Sequence, residues 1–314
     1  MNKFKLGLAA LGVSAALAAG PALGAINWNI GGDTLFEDDD LDFILNNDLT
    51  AKTSGDIIIG DVLISVFEIN FAGGEDVGPD EELTGVVAIQ VADIIPISPT
   101  LANFVFAPYD GGLDAVLGLG TGGVTCPAGS GCEAGGGALG AMYLDPDPNL
   151  DINAGNLPGA LSCSTLGECI DQSVDGATWQ VDGFGDPDDF WTASAAPLNP
   201  FPILGLSPAT TAGFVNGGLS ILYNGTGQTL ETGALPCGIL CGPGGDGFVD
   251  MLGTGSIQGG LGLEASLIAD GVFATSDFDF TKRAIPEPGS LALLSAGLLG
   301  LGAAQRRRRK ANRA

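Results

Sequence analysis

Short apolar runs recur along the middle of the chain, each closed off by Gly, Pro, Asn or Asp. The clearest are DVLISVFEINF (61–71), GVVAIQVADI (85–94), ANFVFAP (102–108), GATWQVDGF (176–184), GGLSILYNG (217–225), GFVDMLG (247–253) and LEASLIADGVFATSDFDFT (263–281). In the first, Val62, Ile64, Val66 and Glu68 alternate with Leu63, Ser65, Phe67 and Ile69. Both faces are mostly apolar, as in a strand covered on both sides. TWQVDGF and TSDFDF alternate more cleanly and suit half-exposed strands. Many short strands between turn signals predict a mainly β fold, an antiparallel β-sandwich or jelly roll. FEDDDLDFILNND (36–48) reads differently: Leu41, Ile44 and Leu45 share one helical face, which predicts a short helix. The stretch 110–175, with GLGLGTGGVTCPAGSGCEAGGGALG at its centre, is poor in strand signal and reads as a loop-rich insertion.

The two ends follow other patterns. MNKFKLGLAALGVSAALAAGPALGA has a basic start (Lys3, Lys5), an apolar run to about Ala19 and small residues after it. This is the layout of a secretory signal peptide, a signal helix over 1–24 with cleavage after Gly24. At the other end, 289–304 are uncharged and mostly apolar, followed by Arg306, Arg307, Arg308, Arg309 and Lys310. As a helix these residues would cover roughly 24 Å, just short of a bilayer core of about 30 Å. The expectation is a short transmembrane helix, with the basic block as a cytoplasmic stop. The body is then 25–284 and the C-terminal signal 285–314.

Charge sharpens this division. The 314 residues carry a net charge of −26, with no His, 52 Gly and 18 Pro. All acidic residues except Glu287 lie between Ala25 and Ile285, where the only bases are Lys52, Lys282 and Arg283. Such a field repels phosphate backbones and excludes a nucleic-acid partner. It attracts cations, and it equally suits solubility or a salty medium.

Pro286-Glu287-Pro288 stands directly before the apolar stretch, where two prolines keep the backbone extended and accessible. IPEPGSLALLSAGLLGLGAAQRRRRK resembles a PEP-CTERM sorting signal: Pro-Glu-Pro, an apolar span and an Arg-rich end, in that order. The resemblance covers about thirty residues and not the body. It implies a Gram-negative exported protein, passed by Sec and signal peptidase to an inner-membrane intermediate and cut by an exosortase. Pro286, Glu287 and Pro288 would be the recognition residues. It further implies a place at the cell surface or in the extracellular matrix, with a structural or adhesive role in exopolysaccharide, biofilm or floc. Ile285 stands where Val is commonest in that family.

The candidate chemistry of the body is sparse. Without His there is no Ser-His-Asp or Cys-His machinery and no His-ligated metal. GLGTGG (118–123) fits G-x-G-x-x-G only formally and reads as a loop. Cys126, Cys132, Cys163, Cys169, Cys237 and Cys241 fall in three local pairs. An even count in an exported chain implies disulfides, and six cysteines allow 15 connectivities. Short Gly- and Pro-bearing loops favour 126–132, 163–169 and 237–241; a zinc site would want C-x2-C or His. DPDPNLDIN places Asp145, Asp147, Asn149 and Asp151 at alternate positions, the spacing of oxygen ligands in a calcium loop. Its turn glycine is replaced by Leu150 and its closing Glu by Asn156, so a looser Ca2+ site and a solvated acidic turn both stand. FGDPDDFW (184–191) and FEDDDLD (36–42) have the same standing. Trp179 and Trp191 near the Asp-rich turn suit sugar stacking, giving a carbohydrate-binding module, Ca2+-assisted, as the alternative function. Paired carboxylates are too general to make a hydrolase, and the reading is of a protein that is not an enzyme.

Overall fold

The computed structural model describes residues 26–53, 55–78, 80–98, 101–121, 125–152, 162–196, 212–242, 244–259 and 272–286. The expected signal helix and the expected helix over 289–304 lie outside the described residues. Among those described, no helix is long and apolar enough to cross a membrane.

The body is a closed antiparallel barrel, not the sandwich that the strand pattern suggested. Its strands are β1 (Asp33–Leu45), β2 (Val62–Ala72), β3 (Glu75–Asp76), β4 (Glu82–Ser98), β5 (Leu101–Pro108), β6 (Ala138–Asp145), β7 (Ala177–Gly183), β8 (Phe190–Ala196), β9 (Ala212–Asn224), β10 (Leu235–Pro236), β11 (Phe248–Val249), β12 (Met251–Gly259) and β13 (Val272–Arg283). The order β2-β1-β13-β12-β9-β7-β6-β4 returns on itself because β4 also pairs with β2, from Val62↔Gln90 to Ile69↔Leu83. That pairing makes eight strands a ring and removes the free edges a sandwich would leave. The long strands β4 and β9 then fork. Toward one rim they are bridged by β6 and β7, and toward the other by β5 and β8.

Residues 36–48 are mostly strand β1, not a helix. Its even positions face the barrel interior and its odd positions face outward, so Phe36 and Ile44 belong to one apolar cluster and Leu41, Phe43 and Leu45 to another. From Asp40 to Leu45 both faces are buried, which erases there the polar stripe that a half-exposed strand would show. The interior cluster is aromatic: Phe36 stacks on Phe280 with centroids 5.0 Å apart, and Trp191 tilts against Phe278 at 4.7 Å. Small residues opposite make the room. A Cβ on Gly217 would come within 2.5 Å of Trp191.

The second cluster lies outside the wall. Helices α1 (Leu113–Thr121) and α2 (Leu166–Ser173) pack together over the outer faces of β2, β4 and β6. The stretch 110–175 therefore supplies a wall strand, β6, and both helices of this cover, and Gly118 and Gly120 fall within α1. Thr165 caps α2 by accepting from Glu168 N–H, and the Glu168 carboxylate accepts from the N–H and hydroxyl of Ser164 just before the cap, a variant of the capping box. The disulfides are Cys126–Cys132, Cys163–Cys169 and Cys237–Cys241, the local pairing expected from their spacing. The first two pin the outer cover; the third closes a small cluster with Phe190, Leu235 and Val249.

Phe36 is fully buried between Trp28, Trp179 and Phe280. Phe36→Ala is expected to lower the unfolding free energy by about 3–5 kcal/mol, read as a shifted midpoint in urea with little change in slope.

Candidate functional site

The interior is not purely apolar. The inward row on β1 continues as Asp38, Asp40 and Asp42, each 9% exposed or less. Asp38 Oδ1 accepts from the Phe278 N–H at 2.7 Å, Asp40 Oδ2 from the Ser276 hydroxyl at 3.1 Å, and Asp42 Oδ1 from the Ser65 hydroxyl at 2.9 Å. Asp42 Oδ2 has no hydrogen-bond partner. Burial raises all three carboxyls, and mutual repulsion along the row adds to it for Asp38 and Asp40. Asp42 is pushed up to about 6, chiefly by burial, with hydroxyl hydrogen bonds opposing. Near one rim, Lys282 Nζ meets Asp182 Oδ2 at 2.5 Å, both buried, beneath the Phe280 ring. Burial drives this pair toward its neutral forms and their mutual attraction holds the charges.

A second carboxylate group lies on the outer wall. Glu82 opens β4, Asp145 ends β6, and the two are direct cross-strand partners. Asp175 stands just before β7, the next strand. A carboxylate oxygen from each lies within 4.8 Å of the other two. Like charges directly opposite across a sheet destabilise it; at that distance a pair costs roughly 3 kcal/mol at an effective dielectric constant of 20. Glu82 is 3% exposed and Asp175 is open to solvent. Glu82 Oε2 accepts from the backbone N–H groups of Asn149 and Leu150, both at 3.1 Å. Its Oε1 has no partner. Burial pushes the Glu82 carboxyl up to about 7, against those amide bonds, with Glu68 and Asp145 adding repulsion. Asp145 is raised as well, by burial and by Asp175 beside it.

The loop after β6 thus folds around side chains of the wall. Leu150 and Ile152 are buried in the outer cluster, and Ile152 N–H reaches Glu68 Oε2. Of the four alternating residues named from sequence, Asp145 joins the three-carboxylate group. Asn149 donates through its side chain to Asp175 at 2.7 Å, while Asp147 and Asp151 are exposed. Sequence reasoning missed Glu82 and Asp175, which come from distant segments. The other acidic turn is occupied by its own backbone. Asp189 Oδ2 accepts from Gly185 and Asp186 N–H, and Asp188 Oδ2 from Asp246 and Gly247 N–H. Trp179 and Trp191 are 3% and 7% exposed and belong to the interior cluster, so neither offers a face to a sugar at the surface.

The sorting candidate begins where β13 ends. Ala284 is buried, bridging to Ile30 and Leu230, and Ile285 N–H donates to Thr229 O. Pro286 is exposed; Glu287, Pro288 and the basic block lie outside the described residues. The family model described as the PEP-CTERM protein-sorting motif matches residues 284–309. No curated protein and no solved structure matches the chain.

The interior row fixes a sign for the response to pH. A carboxyl raised in the folded state stabilises fully below its unfolded value near 3.8, and that contribution is lost as pH rises through the folded value. For Asp42 the window runs from about pH 4 to about 6, and Asp38 and Asp40, also raised by burial, act in the same direction. Asp277 and Asp279 on β13 add repulsion on Asp38. Asp42→Asn should flatten the dependence and raise stability at pH 8 by about 2–3 kcal/mol relative to the parent, measured by urea unfolding at pH 4.5 and 8.

Proposed function

We propose, from the PEP-CTERM motif carried at 284–309, that this chain is an exported protein delivered to an exosortase and then held at the cell surface or in the extracellular matrix. The motif is the observation that carries the reading. In support, the body ends in the well-paired strand β13, and Pro286, the last described residue, is exposed. The motif starts directly after that strand, with buried Ala284 tied to the barrel and the Pro-Glu-Pro sequence beginning at exposed Pro286. Three disulfides fit an oxidising destination.

The body's role in this reading is structural or adhesive within polysaccharide, biofilm or floc, and not enzymatic. A closed barrel whose tryptophans fill its own core serves as a stable, strongly acidic particle. Contact with matrix would run through its charged outer surface and the cations gathered there.

Intact mass and cell fractionation, with and without the cognate exosortase gene, test the sorting step. The expected product is a shorter extracellular species that lacks the C-terminal segment, present only with the enzyme. Replacing Pro286, Glu287 and Pro288 by Ala should abolish that product while leaving the three disulfides formed. An unshortened species outside the cell in both strains would defeat the proposal.

A further inference from the structure

We propose that Glu82, Asp145 and Asp175 form a divalent-cation site, with Ca2+ as its ion, at the seam between the barrel wall and its outer cover. This inference is independent of the sorting reading. Three strands deliver the carboxylates to one spot: the start of β4, the end of β6 and the approach to β7. Their oxygens lie within 4.8 Å of one another. Two oxygens bound to one Ca2+ ion, each about 2.4 Å from it, are at most about 4.8 Å apart, so this spacing admits the ion.

Two further observations point to a cation and not merely to crowded acids. Glu82 is almost fully buried, and its Oε1 has no hydrogen-bond donor although Oε2 has two. No base of the described residues can neutralise the group, because each is committed elsewhere. Lys52 pairs with Asp61 at 2.7 Å, Lys282 with Asp182 at 2.5 Å, and Arg283 with Asp33 at 2.7 Å and Glu231 at 3.8 Å. Buried carboxylates without a cationic side chain call for a metal or a proton.

The surroundings favour Ca2+ over Mg2+. Donors come from three separate strand ends, one of them open to water through Asp175, and Ca2+ accepts such irregular shells of six to eight oxygens. Mg2+ demands near-ideal octahedral geometry. The Asn149 side chain steadies Asp175, and the Asn149 and Leu150 amides fix Glu82. Asp145 is shared with the alternating-acid loop; Glu82 comes from the wall and Asp175 from the turn between α2 and β7.

The test is Ca2+ binding to the purified exported protein at constant ionic strength, by titration calorimetry and thermal melting. One saturable equivalent and a melting temperature raised by several degrees are expected, with a smaller effect from equal Mg2+. Asp175→Asn, at an exposed position, and Glu82→Gln should each weaken binding at least about tenfold, while Asp147→Asn leaves it unchanged. Absence of saturable binding at millimolar Ca2+ would overturn the proposal. So would undiminished binding in Asp175→Asn, which needs no rescue of folding to interpret, or loss of binding in Asp147→Asn alone.

Discussion

The pairing of β2 with β4 is the contact on which the rest of this body depends. It turns a sheet into a ring, and a ring has an inside. Once β1 is a wall strand with partners on both edges, every even-numbered side chain on it must face that inside. Phe36 and Ile44 gain from this; Asp38, Asp40 and Asp42 between them do not. Dehydration makes a charge there costly, so the acids are raised toward their neutral forms and borrow hydroxyls from Ser65 and Ser276. The one interior base among the described residues, Lys282, is already bound to Asp182. An aromatic core laid over glycines and a row of buried acids are two outcomes of the same closure.

The same wall serves as foundation for a second layer. Outward residues of β2, β4 and β6 are apolar enough to hold two helices and two cross-linked loops. Where that layer needs polar anchorage, half-buried Glu68 and buried Glu82 accept the amides of the loop after β6. The buried Leu150 N–H has no water to turn to and needs such an acceptor. The carboxylates that satisfy these amides stand close to Asp145 and Asp175, and the crowding at the seam follows.

Much of the strand content was legible, because alternation in DVLISVFEINF and TSDFDF survives in β2 and β13. The local disulfides were legible too, since short Gly- and Pro-bearing loops leave paired cysteines little choice. Strand β1 was not. Three aspartates at inward positions invert the usual link between polarity and exposure, and Leu41, Ile44 and Leu45 then mimic a helical face. Closure was hidden for a different reason: periodicity tells which face of a strand is buried, never which edge meets which neighbour. Glu82 sat unremarked in a charged turn, PDEEL, and Asp175 in another. Only the register of β4 against β6 sets Glu82 opposite Asp145, and no local pattern carries that information.

The pairing of β1 with β13 also sets an order of events in time. A chain is made from its N-terminus, so β1 emerges early and its partner Asp33–Arg283 register is completed only when β13 arrives. The disulfide loops, closed by residues four to six apart, have no such wait. Pairings between distant strands are slow to form, and until the last one does, β1 offers an open edge. Residues 284–309 follow β13 directly. The sorting motif is therefore synthesised only after the strand that closes the ring, so the chain's last segment is made once every wall strand of the barrel is present.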